Sequence, residues 1–228
     1  FVETNKFLSE QIAAGKSSDE ALIAVTHKWY TNCKAIVFNG DGYSQEWVKE
    51  AERRGLGNYR TTPEALAAVF KNPAKVAFLS KMGVFNEGEI KTRGNVMIER
   101  YIKCREIEFR TLANMVNRQV LPAVIEYKNS VANSINGIKA AGGDVSVESD
   151  ILKNLSNLSK DLVTKNTSLQ TAVDGLHKSH DEFAIADKIG KELMPLSEQI
   201  AATCNALEEL VPENDWPIPT FYDMLFIR

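Results

Sequence analysis

The sequence has few cysteines and no long apolar segment. Its three cysteines, Cys33, Cys104 and Cys204, are an odd number and lie far apart in the chain. Such a set argues against a disulfide scaffold and favours a reduced, cytoplasmic compartment. No apolar run approaches the roughly 20 residues of a transmembrane helix, and the first residues do not resemble a signal peptide.

An excess of charge of one sign is also lacking. The chain has 27 Lys and Arg against 30 Asp and Glu, a formal net charge of −3, which gives no reason to expect nucleic acid or a membrane as partner. With 228 residues, 44% of them hydrophobic, the chain is long enough to bury a core. The first residue is Phe1 rather than Met, so we expect a piece of a longer polypeptide.

Recognisable catalytic and metal-binding patterns are missing as well. There is no Ser-His-Asp or Cys-His grouping and no C-x-x-C spacing. His177 and His180, with Asp174 and Asp181 nearby, could present one helical face to a metal. Because no further ligand cluster appears, a solvated helix end is the favoured interpretation. His27, beside Trp29-Tyr30, is expected to be packed or hydrogen-bonded.

The sharpest local motif is a glycine-rich turn, FNGDGYS, at residues 38–44. It could cradle a phosphate at a helix N-terminus. The third glycine of a dinucleotide fingerprint and the Lys-Ser/Thr of a phosphate loop are both absent, and Asp41 would repel phosphate. We therefore favour a turn in which the glycines adopt positive φ and Asp41 accepts from local amides.

What the sequence does contain is helical periodicity, strongest between Asn86 and Ala141. Asn86 and Glu89 form a capping-box pattern, and apolar residues then recur every three or four positions as far as Gly142-Gly143. Only Pro122 interrupts. An unbroken helix of this length would be roughly 80 Å long, because each residue adds about 1.5 Å. A compact protein needs other long helices to cover it.

Two further long helices are predicted. The first has a seam close to a 3.5-residue repeat, formed by Ile151, Leu155, Leu158, Leu162, Leu169, Val173 and Leu176. The second runs from about Asp181 to Leu210 and contains Pro195. The fold class predicted is all-α: short N-terminal helices and turns, then an antiparallel bundle of three long helices kinked at Pro122 and Pro195.

Two domains are predicted, residues 1–85 and 86–228. The first is expected to hold short helices, starting near Val2, Ser17, Ser44 and Thr62, and to pack on the bundle. Periodicity leaves open whether Lys34–Phe38 is a strand or an extended buried segment. The aromatic, proline-rich tail from Trp216 to Phe226 is expected to dock against protein.

The middle of the long helix is crowded with charges of both signs: Glu99, Arg100, Arg105, Glu106, Glu108 and Arg110. A carboxylate–guanidinium site is conceivable, but a solvated face is the commoner reason for such spacing. Cys104 and Cys204 are predicted to be small core residues. We therefore predict no catalytic, cofactor-binding or metal-binding residue in this chain.

Several stretches together carry a resemblance to a known family. They are residues 38–47 (FNGDGYSQEW), 50–56 (EAERRGL), 83–89 (GVFNEGE), 99–101 (ERY) through 121–124 (LPAV), and the ending WPIP at 216–219. In this order they resemble the C-terminal region of type III glutamine synthetases, over essentially the whole chain. The first two blocks are fairly specific, whereas residues 144–180 are not.

The resemblance implies an ATP-dependent ligation of ammonia to glutamate in the full-length enzyme, with Mg (or Mn) ions. Those nucleotide, metal and glutamate motifs lie upstream in that family, and none matches a position of this sequence. The resemblance further implies a homo-oligomeric double ring, so the expected partners are the catalytic domain of the same polypeptide and neighbouring subunits.

Two functions are therefore considered. The chain is either a structural, assembly or regulatory region of a glutamine synthetase, inactive when alone, or a stand-alone helical scaffold or adaptor for another protein. The resemblance favours the first.

Overall fold

The computed structural model describes residues 1–226, except for the side chains of Phe221 and Tyr222, and this part of the chain is all-α, as predicted, with no strand. It divides into two compact units, Phe1–Arg60 and a second that begins at Thr61. The predicted boundary lay later, after residue 85. None of the described helices is long and apolar enough to cross a membrane.

The first unit contains α1 (Val2–Ala13), α2 (Ser18–Cys33) and α3 (Gln45–Arg53). The predicted helix starts at Ser17 and Ser44 are confirmed: Ser17 forms a capping box with Glu20, and the Ser44 hydroxyl accepts from the Trp47 amide. α1 is followed by Gly15, whose φ of 90° explains why the helix stops there.

The segment Lys34–Phe38 is neither a strand nor buried, so that expectation is wrong. Lys34–Ile36 is a single 3₁₀ turn, and Ile36 and Val37 are 63% and 43% exposed. A short apolar run satisfies a strand and a tight turn equally well, and no partner strand exists in the described residues to favour the strand.

The second unit begins with α4 (Thr62–Phe70) and α5 (Pro73–Lys81). The long helical runs follow: α6 (Glu87–Met115), α7 (Leu121–Ala140), α8 (Ser146–Asp174), α9 (Glu182–Lys188) and α10 (Met194–Glu208). A short α11 (Phe221–Leu225) comes last. The capping box at Asn86 and Glu89 starts α6, as predicted, and Thr61 with Glu64 starts α4. α4 packs on both α6 and α9.

Each predicted kink site coincides with a π-helical turn. Val116–Val120 joins α6 to α7, and Ile189–Leu193 joins α9 to α10. The amide of Leu121 bonds the carbonyl of Val116, five residues back. Pro122 follows at once, and Pro195 stands in the same position after the second π turn. A proline has no N–H to donate to the carbonyl four residues back. In a π turn the amides bond carbonyls five residues back, so the regular α-helical hydrogen bonding is already interrupted next to each proline.

The core of the second unit is built around α8. Its buried positions are Leu155, Ser159, Leu162, Asn166, Leu169 and Val173, a repeat of four and three residues. Leu158, which the sequence pattern placed in this seam, is only partly buried, and two polar residues take seam positions instead. α6, α7 and α10 all pack against α8.

The tail is buried at its start, Trp216, and exposed at its end. Trp216 is buried in the core cluster and Ile218 packs against it, whereas the side chains of Met224, Leu225 and Phe226 are exposed. The side chains of Phe221 and Tyr222, which the docking prediction also included, lie outside the described part of the chain.

Candidate functional site

The glycine turn at residues 38–44 is held by its own residues. The Asp41 carboxylate accepts from the Tyr43 amide at 2.9 Å, as predicted. The positive φ predicted for the glycines is wrong, since neither Gly40 nor Gly42 has one. A Cβ at Gly40 would come within 2.5 Å of the far end of the Phe38 ring, so a larger residue there would displace that ring.

Arg54 fixes the chain on the N-terminal side of this turn. Its guanidinium donates to the carbonyls of Ala35 and Val37 at 3.1 and 2.6 Å and pairs with Glu50. Hydrogen bonds from Arg53 and Arg54 lower the pKa of Glu50 to about 2. The centroids of the Phe38 and Trp47 rings are 4.5 Å apart. These contacts hold the turn between the segment before it and the helix after it.

The charged middle of α6 is connected to the end of α8. Arg110 pairs with Glu106 and, across the helices, with Asp174 at 3.0 Å. The Glu106 carboxylate also accepts a hydrogen bond from His177 Nε2 at 3.0 Å. Of the remaining charges, Glu99 pairs with Lys103, Arg105 pairs with Glu108, and Arg100 is exposed.

Glu106 is the centre of this cluster. The hydrogen bond from His177, and after it that from Arg110, lowers the pKa of the Glu106 carboxyl. A carboxyl that stays ionised at neutral pH is a poor general acid, and one that already holds two donors is poorly placed to accept a proton. The cluster therefore joins α6 to the end of α8 and to the 3₁₀ turn that follows it.

All three histidines are exposed. His177 lies in the 3₁₀ turn Leu176–Lys178 and is exposed, and His180 is exposed beyond it. His27 is exposed on α2, which excludes the packed alternative, and the hydrogen-bonded alternative stays a prediction. Among the described residues, no group of three or more His, Cys, Asp or Glu side chains is arranged to hold a metal ion.

The cysteines differ from one another. Cys204 is partly buried against the core, and burial raises the pKa of its thiol to about 11, which leaves it protonated and unreactive. Cys104, also predicted to be a core residue, is exposed, and that prediction is wrong. It lies on α6, two positions from buried Ile102 and outside the buried stripe.

A cleft between α4, α5, α6 and α9 was not predicted. It has a volume of about 700 Å³ and lies entirely within the second unit. We call it the Ser80 cleft; its lining is Phe70, Pro73, Ala74, Val76, Ala77, Ser80, Lys81, Glu87, Ile90, Lys91, Gly94, Asn95 and Phe183. The Phe70 ring packs directly over Gly94, since a Cβ at that position would lie 2.8 Å from the ring.

Comparison of the sequence with known protein families and with curated proteins supports the resemblance to glutamine synthetases. The family described as "Glutamine synthetase C-terminal domain" matches residues 21–139, just over half of the chain. A "Type-3 glutamine synthetase" from Dictyostelium discoideum is 28% identical over 85% of this chain, and a "Glutamine synthetase" from Bacteroides fragilis is 28% identical over 94%. A third, from Butyrivibrio fibrisolvens, is 25% identical over 85%.

The described residues form two all-α units, and the charged side chains in the middle of α6 pair with others of the second unit. The chain belongs to the glutamine synthetase C-terminal domain family, as its sequence blocks indicated. It spans 27 to 30% of the length of the curated relatives that it matches.

Proposed function

We propose that this chain is the helical C-terminal region of a cytoplasmic type III glutamine synthetase and that it supports the assembly or regulation of the whole enzyme. The observation that carries the proposal is the family match over residues 21–139, together with relatives that are more than three times as long as the aligned region. In this proposal, catalysis belongs to the remainder of the polypeptide.

The side-chain chemistry supports a non-catalytic role. ATP and Mg (or Mn) would serve the full-length enzyme, but the described residues offer no group of carboxylates and histidines that fits a metal ion. The most highly connected carboxylate, Glu106, is occupied by Arg110 and His177. No step of the ligation is therefore assigned to a residue of this chain.

The exposed apolar side chains at the end of α5 support an assembly role. Phe78, Met82 and Val84 are 55%, 59% and 51% exposed and lie within seven positions of one another. Apolar side chains grouped in this way favour contact with another protein surface. We propose that this surface contacts the catalytic domain of the same polypeptide or a neighbouring subunit of a homo-oligomeric double ring.

The proposal includes the arrangement of the long helices as an antiparallel bundle, kinked at Pro122 and Pro195. Three contacts, made by α6 with the π turn after it and α8 with the 3₁₀ turn after it, support opposite directions for the two helices. Residue numbers fall on one side as they rise on the other: Asn117 with Asn166, Arg110 with Asp174, and Glu106 with His177.

An activity assay tests the catalytic part of the proposal. We expect the isolated chain to form no glutamine from glutamate, ammonia and ATP in the presence of Mg, whatever the enzyme concentration. Glutamine formation by the chain alone would show that catalytic residues are present in it.

An assembly assay tests the second part. In the longer polypeptide that carries this chain, the double variant Phe78→Asp/Met82→Asp should reduce the mass of the assembled particle measured by light scattering. The matched control is Val147→Asp, which is also exposed but lies at the start of α8, where an acidic residue suits the helix N-terminus. A full-size particle with the double variant would contradict the assembly role.

A further inference from the structure

We propose that the Ser80 cleft binds an amphipathic carboxylate, a molecule with an aliphatic chain and one anionic head, of the size of a medium-chain fatty acid. The proposal goes beyond the assembly role and does not depend on it. It rests on three features of the cleft: an apolar interior, a buried hydroxyl without a partner, and free lysines at the edge.

The interior is suited to an aliphatic chain. Phe70 from α4, Val76 and Ala77 from α5, Ile90 from α6 and Phe183 from α9 line it. The volume of about 700 Å³ falls within the range of roughly 300 to 1,000 Å³ that is usual for small-molecule sites. Burial of an aliphatic chain against such side chains provides the main driving force.

Ser80 supplies a polar contact within this apolar lining. Its Oγ is buried and makes no hydrogen bond with another protein group. A buried hydroxyl without a partner is unusual, because its desolvation is not compensated. A ligand oxygen in the cleft would accept its hydrogen, which an aliphatic chain alone would not.

The charges at the edge select an anion. Lys81 and Lys91 line the cleft, are exposed, and make no ion pair in the described part of the chain. Lys71 lies nearby, with its ammonium 4.6 Å from the centre of the Phe183 ring. Glu87 is the one carboxylate of the lining. The edge is therefore net positive, which complements one carboxylate head and disfavours a cationic one.

Binding of decanoate to the full chain, measured by isothermal titration calorimetry below its micellar concentration, tests the proposal. We expect one site per chain, and no binding of decyltrimethylammonium, which has the same chain and the opposite charge. Absence of decanoate binding, or equal binding of both amphiphiles, would overturn the proposal.

Two sets of variants locate the site. Lys81→Met/Lys91→Met should weaken decanoate binding at least tenfold, whereas the control Lys153→Met/Lys160→Met, exposed lysines on α8, should bind as the unaltered chain does. Ala74→Trp, which fills the cleft from an exposed position, should abolish binding while its melting temperature shows that the chain is folded. Unchanged binding by the first pair, or equal loss in the control pair, would overturn the assignment.

Light scattering distinguishes a second copy of the chain as the occupant. In our proposal the chain has the same mass with and without decanoate. A dimer that excludes decanoate, and that Ala74→Trp converts to a monomer, would show that the cleft is a self-association site and would contradict the proposal.

Discussion

Two glycines inside long helices show how differently one residue type is used. Gly94 on α6 faces the Phe70 ring, and a Cβ there would lie 2.8 Å from it, whereas a Cβ at Gly137 on α7 would meet nothing within 4 Å. In the sequence both are simply helix glycines, because the ring that distinguishes them comes from another helix.

We expect opposite results from alanine at these two positions. Gly137→Ala should raise the free energy of unfolding by about 0.5–1 kcal/mol, since alanine is the better helix former. Gly94→Ala should lower it by about 1–3 kcal/mol, because Phe70 must move in a packed site. Urea denaturation of both variants measures the difference, and equal stabilisation would contradict the close contact with Phe70.

Glu106 gives a prediction with a definite pH dependence. Its folded-state pKa is lowered below the ordinary value of 4.5, chiefly by His177, so its contribution to stability is full above about pH 4.5 and is lost as the pH falls through the folded-state pKa. Glu106→Gln should therefore cost about 0.5–1 kcal/mol at pH 7, the scale of exposed ion pairs.

Thermal melts across pH 7 to 3 measure this dependence. The difference between the unaltered chain and Glu106→Gln should shrink progressively below pH 4.5. Glu126→Gln, an exposed glutamate of α7, is the control and should change little at any pH. A difference for Glu106→Gln that grows toward acid would show that the linkage has the opposite sign.

At the scale of the helix, the polar residues in the α8 seam are the least expected feature. Asn166 is buried and donates to the side chain of Asn117 at 2.9 Å, while its own Oδ1 is buried without a partner. A buried amide in a largely apolar seam costs stability, and in coiled coils it fixes the register of the helices.

Asn166→Asp tests the importance of this donor. A carboxylate cannot donate to Asn117, and it would be buried as a charge, so we expect a loss of about 2–4 kcal/mol at pH 7. Burial raises the pKa of such a carboxyl in the folded state, so the loss should grow as the pH rises above about 4, the unfolded value. Asn114→Asp, on exposed α6 surface, should stay within about 0.5 kcal/mol of the unaltered chain in chemical denaturation.

Helix starts were predictable and tertiary details were not. The caps at Ser17, Ser44 and Asn86 are read within four residues of sequence, so local chemistry decides them. The exposure of Cys104 and His27 depends on how a helix is rotated against its neighbours. The Ser80 cleft is lined by side chains from four helices, and no short sequence pattern predicts that these helices pack together.

At the scale of the molecule, the two compact units are unequal in their cores. The buried apolar residues of the first unit are Ala21, Val25 and Ala51, whereas the second unit has a continuous cluster along α6 to α10. Small cores give low stability, and the first unit exposes large side chains such as Ile23 and Tyr30.

Hydrogen exchange should reveal this inequality. Amides of α1–α3 should exchange through openings of low free energy, and those of α8 and α10 should approach the stability of the whole second unit. In the longer polypeptide that we propose, protection of α1–α3 should rise if that unit contacts the remaining protein. Equal protection of both units in the isolated chain would contradict the difference in their cores.

The π turns have a consequence for insertions and deletions. Buried residues repeat every seven positions on both sides of the first turn, as in Ile102, Phe109 and Val116 and then Val124 and Val131, and also after the second turn, as in Leu193, Ile200 and Leu207. Across each turn the interval is eight: Val116 to Val124, and Ile185 to Leu193. Each π turn thus holds one extra residue, and removing it restores the seven-residue interval.

Deletion of Gln119 combined with Pro122→Ala should leave the chain folded by circular dichroism. Deletion of Lys160 within α8 should instead rotate half of the α8 seam away from the core by about 100° and unfold the chain.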